Sequence, residues 1–167
     1  PGKVVFSRVS VTGTESMMML ASRIPGQSQI INAAMEPEIV ALAEFLNACG
    51  AKISGAGTSV VTIEGSEKLS GGIYKTIPDR IEAGSFAILA ALLGNDLKIT
   101  DCRPEHLESL IIQLESAGVE VRRGDTWLKI SRPKKIRAAS ITTAVYPGFA
   151  TDLQSPFAVL LTQAEGE

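Results

Sequence analysis

The sequence is poor in cysteine and in aromatic residues, and it carries no surplus of positive charge. Two cysteines, Cys49 and Cys102, are too few for the disulfide framework on which small secreted domains depend. The 16 Lys and Arg residues are outnumbered by 18 Asp and Glu residues, whereas nucleic-acid binding needs a basic surplus or stripe. We therefore expect no nucleic-acid partner, and we interpret the basic run at residues 132–137 as a solvated loop.

Long apolar runs and cofactor motifs are also missing. The longest apolar run, residues 86–93, is far shorter than the ~20 residues of a membrane-spanning helix, and we expect no secretory leader. The sequence has no glycine-rich phosphate loop and no dinucleotide fingerprint. The single histidine, His106, has no cluster of metal-ligating residues near it. The sequence thus predicts a soluble, cytosolic α/β protein with no metal, no cofactor and no membrane partner.

An internal repeat organises the 167 residues, which are enough to bury a sizeable core. Residues 36–53 and 104–121 each open with Pro beside an acidic residue, continue with apolar residues at helical spacing and end after a Gly. Two short strand-like runs follow each of them. Residues 14–26 and 81–94 form a second pair of apolar helical stretches, which recurs at the same spacing. This pattern predicts a repeated β-α-β-α-β-β unit, in which Met17, Met18 and Met19 lie in the helix core.

The repeat places three segments where a strand is expected to turn into a helix: residues 8–14, 76–82 and 147–154. Helix N-termini offer free N–H groups and a partial positive charge, which suit phosphates and carboxylates. A binding site is therefore expected at these junctions.

The candidate residues at the junctions also have structural interpretations. A residue of the first junction can cap a helix while Arg8 stays on the surface, and Asp79, Arg80 and Glu82 can belong to a network of ion pairs or caps. Asp152 can cap a helix, or it can accept a proton from a sugar hydroxyl. Cys49 is interpreted as a small core residue.

Longer motifs carry a family resemblance. The segments RVSVTGTES, IPDRIEAGSF and YPGFATDLQSPF, in this order and with the repeat between them, resemble the enolpyruvyl transferase family, in the branch that acts on UDP-N-acetylglucosamine. The resemblance implies two lobes of β-α-β-α-β-β units in an inside-out α/β barrel, incomplete in this chain, with a hinge near residues 77–79. Residues 1–77 would be the last unit of the first lobe. Residues 78–167 would be the first unit of the second lobe and the start of the next.

The resemblance implies an enzyme that adds a sugar hydroxyl of UDP-N-acetylglucosamine to the central carbon of phosphoenolpyruvate with loss of phosphate, the first committed step of peptidoglycan synthesis. Asp152 matches the family's Asp that faces the reacting hydroxyl, as base or as orienting acceptor. A four-residue segment matches the part that binds the uridine diphosphate, with Arg8 where the family commonly has Lys: Arg8, Val9, Ser10 and Val11. Three further residues match positions near the cleft: Glu36, Asp79 and Arg80.

The family's Cys-bearing loop, its Lys-Asn pair and most arginines that hold phosphoenolpyruvate have no counterpart in the sequence. Because the chain also opens with Pro1, we expect a piece of a longer enzyme, whose partners are the remaining parts of the parent chain and which is inactive alone. Two alternatives stay open. One is a non-catalytic module that binds a nucleotide sugar, and the other is a piece of the shikimate-pathway enolpyruvyl transferase.

Overall fold

A computed structural model describes residues 1–94 and 96–166 of the chain. The chain divides into two compact units, Pro1–Ile77 and Pro78–Glu167, and each has its own cluster of buried apolar side chains. That these units belong to two lobes of a larger enzyme stays a prediction.

The first unit follows the predicted element order β-α-β-α-β-β. Its sheet has the strand order β1-β2-β4-β3, in which β1 and β2 are parallel and the other pairs are antiparallel. Because α1 follows β1 and α2 follows β2, both helices begin at the same edge of the sheet. The elements are β1 (Lys3–Val5), α1 (Val11–Ser22), β2 (Gly26–Ile31), α2 (Pro37–Ala48), β3 (Lys52–Ser54) and β4 (Val60–Gly65).

Local sequence explains these elements. Pro37 occupies the first position of α2, where its missing N–H costs no helical hydrogen bond, and Gly50 follows the helix with a φ of 98°. In β4 the fully buried Val61 and Ile63 alternate with more exposed residues, as expected for a strand with one face on the core. The helices therefore cover one face of the sheet.

The second unit combines an antiparallel sheet with three helices. Its main sheet has the order β5-β7-β6, and β8 and β9 form a short parallel pair. On β7, the indole of Trp127 lies over Gly124, and the Lys98 ammonium lies 4.6 Å from the centre of the ring. The elements are α3 (Arg80–Leu93), β5 (Leu97–Thr100), α4 (Glu108–Ser116), β6 (Glu120–Gly124), β7 (Trp127–Ser131), β8 (Ile136–Arg137), α5 (Gln154–Leu161) and β9 (Ala164–Glu165), with 3-10 turns at Pro104–His106 and Thr151–Leu153.

Two of the three predicted strand-to-helix junctions are wrong in detail. Residues 66–79 contain no strand, so α3 follows an irregular segment, and the residues before Asp152 form only one isolated bridge, Thr143 with Phe149. Pro78 and Pro147 have no N–H to give to a ladder, so neither position favours a strand. Of the three predicted junctions, only the one after β1 joins a strand to a helix.

The outward faces of the helices are unusually apolar. Met18 is fully buried as predicted, but Met19 is 49% exposed, which corrects its assignment to the core. On α3, the exposed side chains of Phe86, Leu89 and Leu93 follow one another along one face. Among the residues that the structure describes, no helix is both long enough and apolar enough to cross a membrane.

Candidate functional site

The start of α1 forms the first candidate cluster. The Ser10 side chain is the N-cap, since its Oγ accepts a hydrogen bond from the Gly13 N–H at 3.1 Å. A Cβ at Gly13 would lie 2.9 Å from that Oγ and 3.1 Å from the Phe6 ring, so a larger residue there would displace these side chains. Val9 and Val11 pack against the core, whereas Arg8 is exposed. Arg8 is therefore the side chain of this segment that is free of packing and open to an anionic ligand.

A buried threonine ties the start of α1 to the segment before α2. The Thr14 hydroxyl donates to the Ser10 carbonyl at 2.7 Å and accepts from the Ala34 N–H at 3.0 Å. Thr14 is fully buried, so these hydrogen bonds are shielded from water. The two helix N-termini are thereby held at one edge of the sheet.

Carboxylates gather at this edge. Glu36 is the N-cap residue of α2 and only 6% exposed, and its Oε2 has no hydrogen-bond partner among the described residues. Burial, and then the nearby charges of Glu38 and Glu36, raise the pKa of Glu15 on α1. A buried carboxylate oxygen without a partner is costly, which is compatible with a place for Glu36 in a site. Direct contact of Glu36 with a ligand stays a prediction.

The N-terminus of α3 forms the second candidate cluster. The Asp79 Oδ1 accepts from the N–H groups of Ile81 at 2.8 Å and Glu82 at 3.1 Å, so Asp79 is the N-cap. The Arg80 guanidinium carbon lies 5.5 Å from the centre of the Tyr146 ring. Asp79 thus has a structural task, whereas Arg80 lies against an aromatic face.

Asp152 lies in the 3-10 turn that leads into α5. The N-cap of α5 is Leu153, and the helix has no side-chain cap hydrogen bond, so the capping interpretation of Asp152 is wrong. The Asp152 carboxylate is exposed. Its neighbour Leu153 is 2% exposed and packs against Gly84 of α3.

The loop before Asp152 is well anchored. The Ser109 hydroxyl donates to the Gly148 carbonyl at 3.1 Å, and the buried ring of Phe149 meets the Phe157 ring edge-on at a centroid distance of 5.4 Å. Asp152 is therefore an accessible carboxylate on a rigid support, an arrangement that can accept a proton or a hydrogen bond.

The thiols offer no comparable chemistry. Cys49 is buried as predicted, and Cys102 is 2% exposed. Burial raises the pKa of the Cys102 thiol, so it stays protonated and a poor nucleophile at neutral pH. Among the described residues, no group of three or more His, Cys, Asp and Glu side chains could hold a metal ion.

The second unit contains a cavity of about 320 Å³. It is open to solvent and lies between the ends of α3 and α5 and the basic loop, with Leu93, Lys134 and Val159 among its walls. Neither Arg80 nor Asp152 lines it, so the clusters rather than this cavity are the candidate site. Sequence reasoning missed Tyr146 and Gly84, because only the folded chain brings them to Arg80 and Leu153.

Comparisons with known proteins agree on one family. A sequence profile described as EPSP synthase (3-phosphoshikimate 1-carboxyvinyltransferase) matches residues 2–167. A protein of Solibacter usitatus named UDP-N-acetylglucosamine 1-carboxyvinyltransferase is 49% identical over 167 residues, which are 99% of this chain and 40% of that protein. A protein of Aeromonas hydrophila with the same name is 45% identical over 98% of this chain and 39% of its own length. The chain thus spans about 40% of the length of these relatives.

A solved structure shares the fold. The crystal structure of the enolpyruvyl transferase NikO from Streptomyces tendae matches with a TM-score of 0.87 at 23% sequence identity. The match covers 99% of this chain and 42% of that one. At this identity the likeness concerns the fold alone, and it supports the α/β class predicted from the repeat.

Proposed function

Because the chain belongs to the EPSP synthase family of carboxyvinyltransferases, we propose that it is part of an enzyme that transfers the enolpyruvyl group of phosphoenolpyruvate to UDP-N-acetylglucosamine. The observation that carries this proposal is an identity of 45–49%, over nearly the whole chain, to relatives named for that activity. The reaction would take place in the cytoplasm as the first committed step of the peptidoglycan synthesis on which cell shape and division depend.

The two clusters have distinct tasks in this proposal. At the first, the exposed Arg8 guanidinium and the N–H groups at the start of α1 that Ser10 does not accept from bind the diphosphate of the nucleotide sugar, with Val9, Ser10 and Val11 forming the adjoining wall. At the second, the exposed Asp152 carboxylate accepts the proton of the reacting sugar hydroxyl, or orients that hydroxyl. Asp152 does not cap α5, so its carboxylate is not needed to stabilise the helix start, which supports this role.

A chimaera tests the proposal directly. In it, this chain replaces the matching segment of the Solibacter usitatus relative, and circular dichroism checks that the product folds. We expect phosphate release from phosphoenolpyruvate with UDP-N-acetylglucosamine as acceptor and none above the blank with 3-phosphoshikimate. A folded chimaera without turnover contradicts the transferase. If it still binds UDP-N-acetylglucosamine, the non-catalytic module is favoured, and turnover with 3-phosphoshikimate alone favours the sister enzyme.

The Arg8→Ala variant of the chimaera tests the nucleotide-sugar site. A hydrogen bond to a charged group contributes about 1.5–3 kcal/mol, so the affinity for UDP-N-acetylglucosamine should fall about 10- to 150-fold. The KM for phosphoenolpyruvate should stay nearly unchanged. Calorimetric titration with UDP-N-acetylglucosamine measures the difference, and equal affinities would show that Arg8 is only a surface residue.

A further inference from the structure

We propose that Tyr146 is a positioning residue: its ring holds the Arg80 guanidinium near Asp152, where Arg80 binds an anionic group of phosphoenolpyruvate. This inference rests on the proposed function, and it adds two residues of the second unit to the site. It is carried by a ring contact and by the packing of α3 against the turn that bears Asp152.

The ring contact restricts a long side chain. The guanidinium carbon of Arg80 lies 5.5 Å from the centre of the Tyr146 ring, within the range of about 6 Å in which a cation is attracted to an aromatic face. Both side chains are half-buried, so water screens the attraction only in part. A guanidinium is planar and stacks on aromatic faces, so the ring fixes the direction of its N–H donors.

The packing of α3 brings the helix that bears Arg80 against the turn that bears Asp152. Arg80 and Gly84 are four residues apart in α3 and therefore lie on the same face, one turn or about 5.4 Å apart along the axis. At Gly84, a Cβ would lie 2.9 Å from the Cδ1 of Leu153, so the turn that carries Asp152 packs directly on this face. Arg80 thus lies one turn of α3 away from Gly84, the residue on which Leu153 packs.

The chemistry of the reaction brings an anion to the same place. The sugar hydroxyl must approach the central carbon of phosphoenolpyruvate to about 3–3.5 Å before it attacks. When Asp152 holds that hydroxyl, the attacked carbon and its carboxylate and phosphate substituents lie beside Asp152. The planar guanidinium of Arg80 can bind either group with two parallel hydrogen bonds. The contact with Tyr146 limits the orientations in which the guanidinium can meet that group.

The Tyr146→Leu variant of the chimaera removes the ring face. We expect the KM for phosphoenolpyruvate to rise about 3- to 20-fold, the range that a partly desolvated cation–π contact supplies, and the KM for UDP-N-acetylglucosamine to change less than about two-fold. Tyr146→Phe keeps the ring and should restore most of the loss. The other tyrosine of the chain provides the matched control, since the ring of Tyr74 packs on Phe45 in the first unit. Tyr74→Leu should leave the KM for phosphoenolpyruvate near the parent value.

A double-mutant cycle shows whether Tyr146 acts through Arg80. Arg80→Lys keeps the charge but loses the planar donors, so it should itself raise the KM for phosphoenolpyruvate, and adding Tyr146→Leu should then have little further effect. If Tyr146→Leu does not fold, Tyr146→Phe and Arg80→Lys decide the question. The inference is overturned if the effects of Tyr146→Leu and Arg80→Lys on the KM for phosphoenolpyruvate are additive. It is also overturned if either single variant of an active chimaera leaves that KM unchanged. In both cases the proposed function stands. A folded chimaera without turnover overturns both.

Discussion

The carboxylates at the starts of α1 and α2 make ionisation of Glu15 unfavourable in the folded chain. Burial is the main cause of its raised pKa, and the charges of Glu38 and Glu36 add to it. At pH values between the usual pKa and this raised pKa, the folded chain keeps a proton that the unfolded chain has lost. The contribution of Glu15 to stability is therefore most favourable at low pH and declines as the pH rises through the raised pKa.

The Glu15→Gln variant should remove this pH dependence. At pH 7 we expect its free energy of unfolding to exceed that of the parent chain by up to about 1 kcal/mol, because the side chain is only partly buried and solvent screens it. Near pH 4 the two should agree. Urea denaturation at several pH values between 4 and 7 measures the difference, with Glu67→Gln at an exposed position as the control. A gap that is equal at every pH would contradict the argument.

Asp152 should matter for turnover more than for binding. In the chimaera, Asp152→Asn keeps the shape of the side chain but not its basicity, so we expect turnover to fall about 10²- to 10⁴-fold. The affinity for UDP-N-acetylglucosamine should change only a few-fold. Steady-state kinetics and calorimetry separate the two quantities, and near-parental turnover would leave Asp152 without a catalytic role.

The residue-scale features differ in how far the sequence predicts them. A cap is a local motif, so a cap at the start of α1 and a cap network around Asp79 could be predicted from the neighbouring residues, although the sequence did not single out Ser10. The contact between Arg80 and Tyr146 could not, because the two residues are far apart in the chain and meet only through the packing of the 143–150 loop. The burial of the Glu36 side chain, whose Oε2 has no hydrogen-bond partner among the described residues, likewise appears only in the folded chain.

At the scale of the elements, α3 acts as the support for the turn that bears Asp152. Gly84 leaves a space that Leu153 and Leu110 fill, since a Cβ there would lie 2.9 Å from the first side chain and 3.1 Å from the second. A side chain at position 84 must push these leucines outward. Their methyl groups can move, so the fold should survive while Asp152 shifts.

The Gly84→Val variant tests this support. In the chimaera we expect turnover to fall about 10- to 100-fold, because a displacement of about 1 Å at the reacting groups can have an effect of this size. The affinity for UDP-N-acetylglucosamine should stay within a few-fold of the parent. Gly71→Val is the matched control, since a Cβ at Gly71 meets no atom within 4 Å. Equal turnover in both variants would show that α3 does not set the position of Asp152.

The helices and the strands that follow them were easier to predict than the strands expected before α3 and before Asp152. Apolar residues at helical spacing, with Pro at the start and Gly after the end, predicted α2 in the first unit and α4 in the second, although α4 is preceded by a 3-10 turn at Pro104–His106. The strands expected before α3 and before Asp152 are absent from the described residues. A short run such as residues 141–145 has strand-like composition, but it pairs only where a neighbouring strand is available.

At the scale of the whole molecule, apolar helix faces remain uncovered. Leu20 on α1 is 54% exposed and Leu93 on α3 is 66% exposed, whereas helices on the outside of a two-layer domain usually present polar side chains. This surface agrees with a chain that spans about 40% of the length of its relatives. The repeat predicted such incompleteness, since one copy of a repeated unit rarely buries all its apolar surface.

The 167-residue chain alone should therefore have no transferase activity. Loss of one general acid typically lowers the rate 10²- to 10⁴-fold, and the family's Cys-bearing loop and several of its other groups have no counterpart in this sequence. We expect no phosphate release from phosphoenolpyruvate and UDP-N-acetylglucosamine above a blank without protein. Release that depends on the chain and disappears in Asp152→Asn would contradict this expectation.

The packing of Trp127 on Gly124 gives the second unit an optical label of its own. The sequence contains a single tryptophan, so emission excited at the red edge of the protein spectrum comes from β7 and its neighbours. When the sheet unfolds, the indole loses its contacts with the Lys98 ammonium and with the surrounding strands. Its emission then shifts to longer wavelength because the ring is exposed to water. Unfolding of the first unit, which contains no tryptophan, changes the ellipticity but not the tryptophan emission. Recording both signals in one urea titration therefore reveals whether the two units melt together or in sequence.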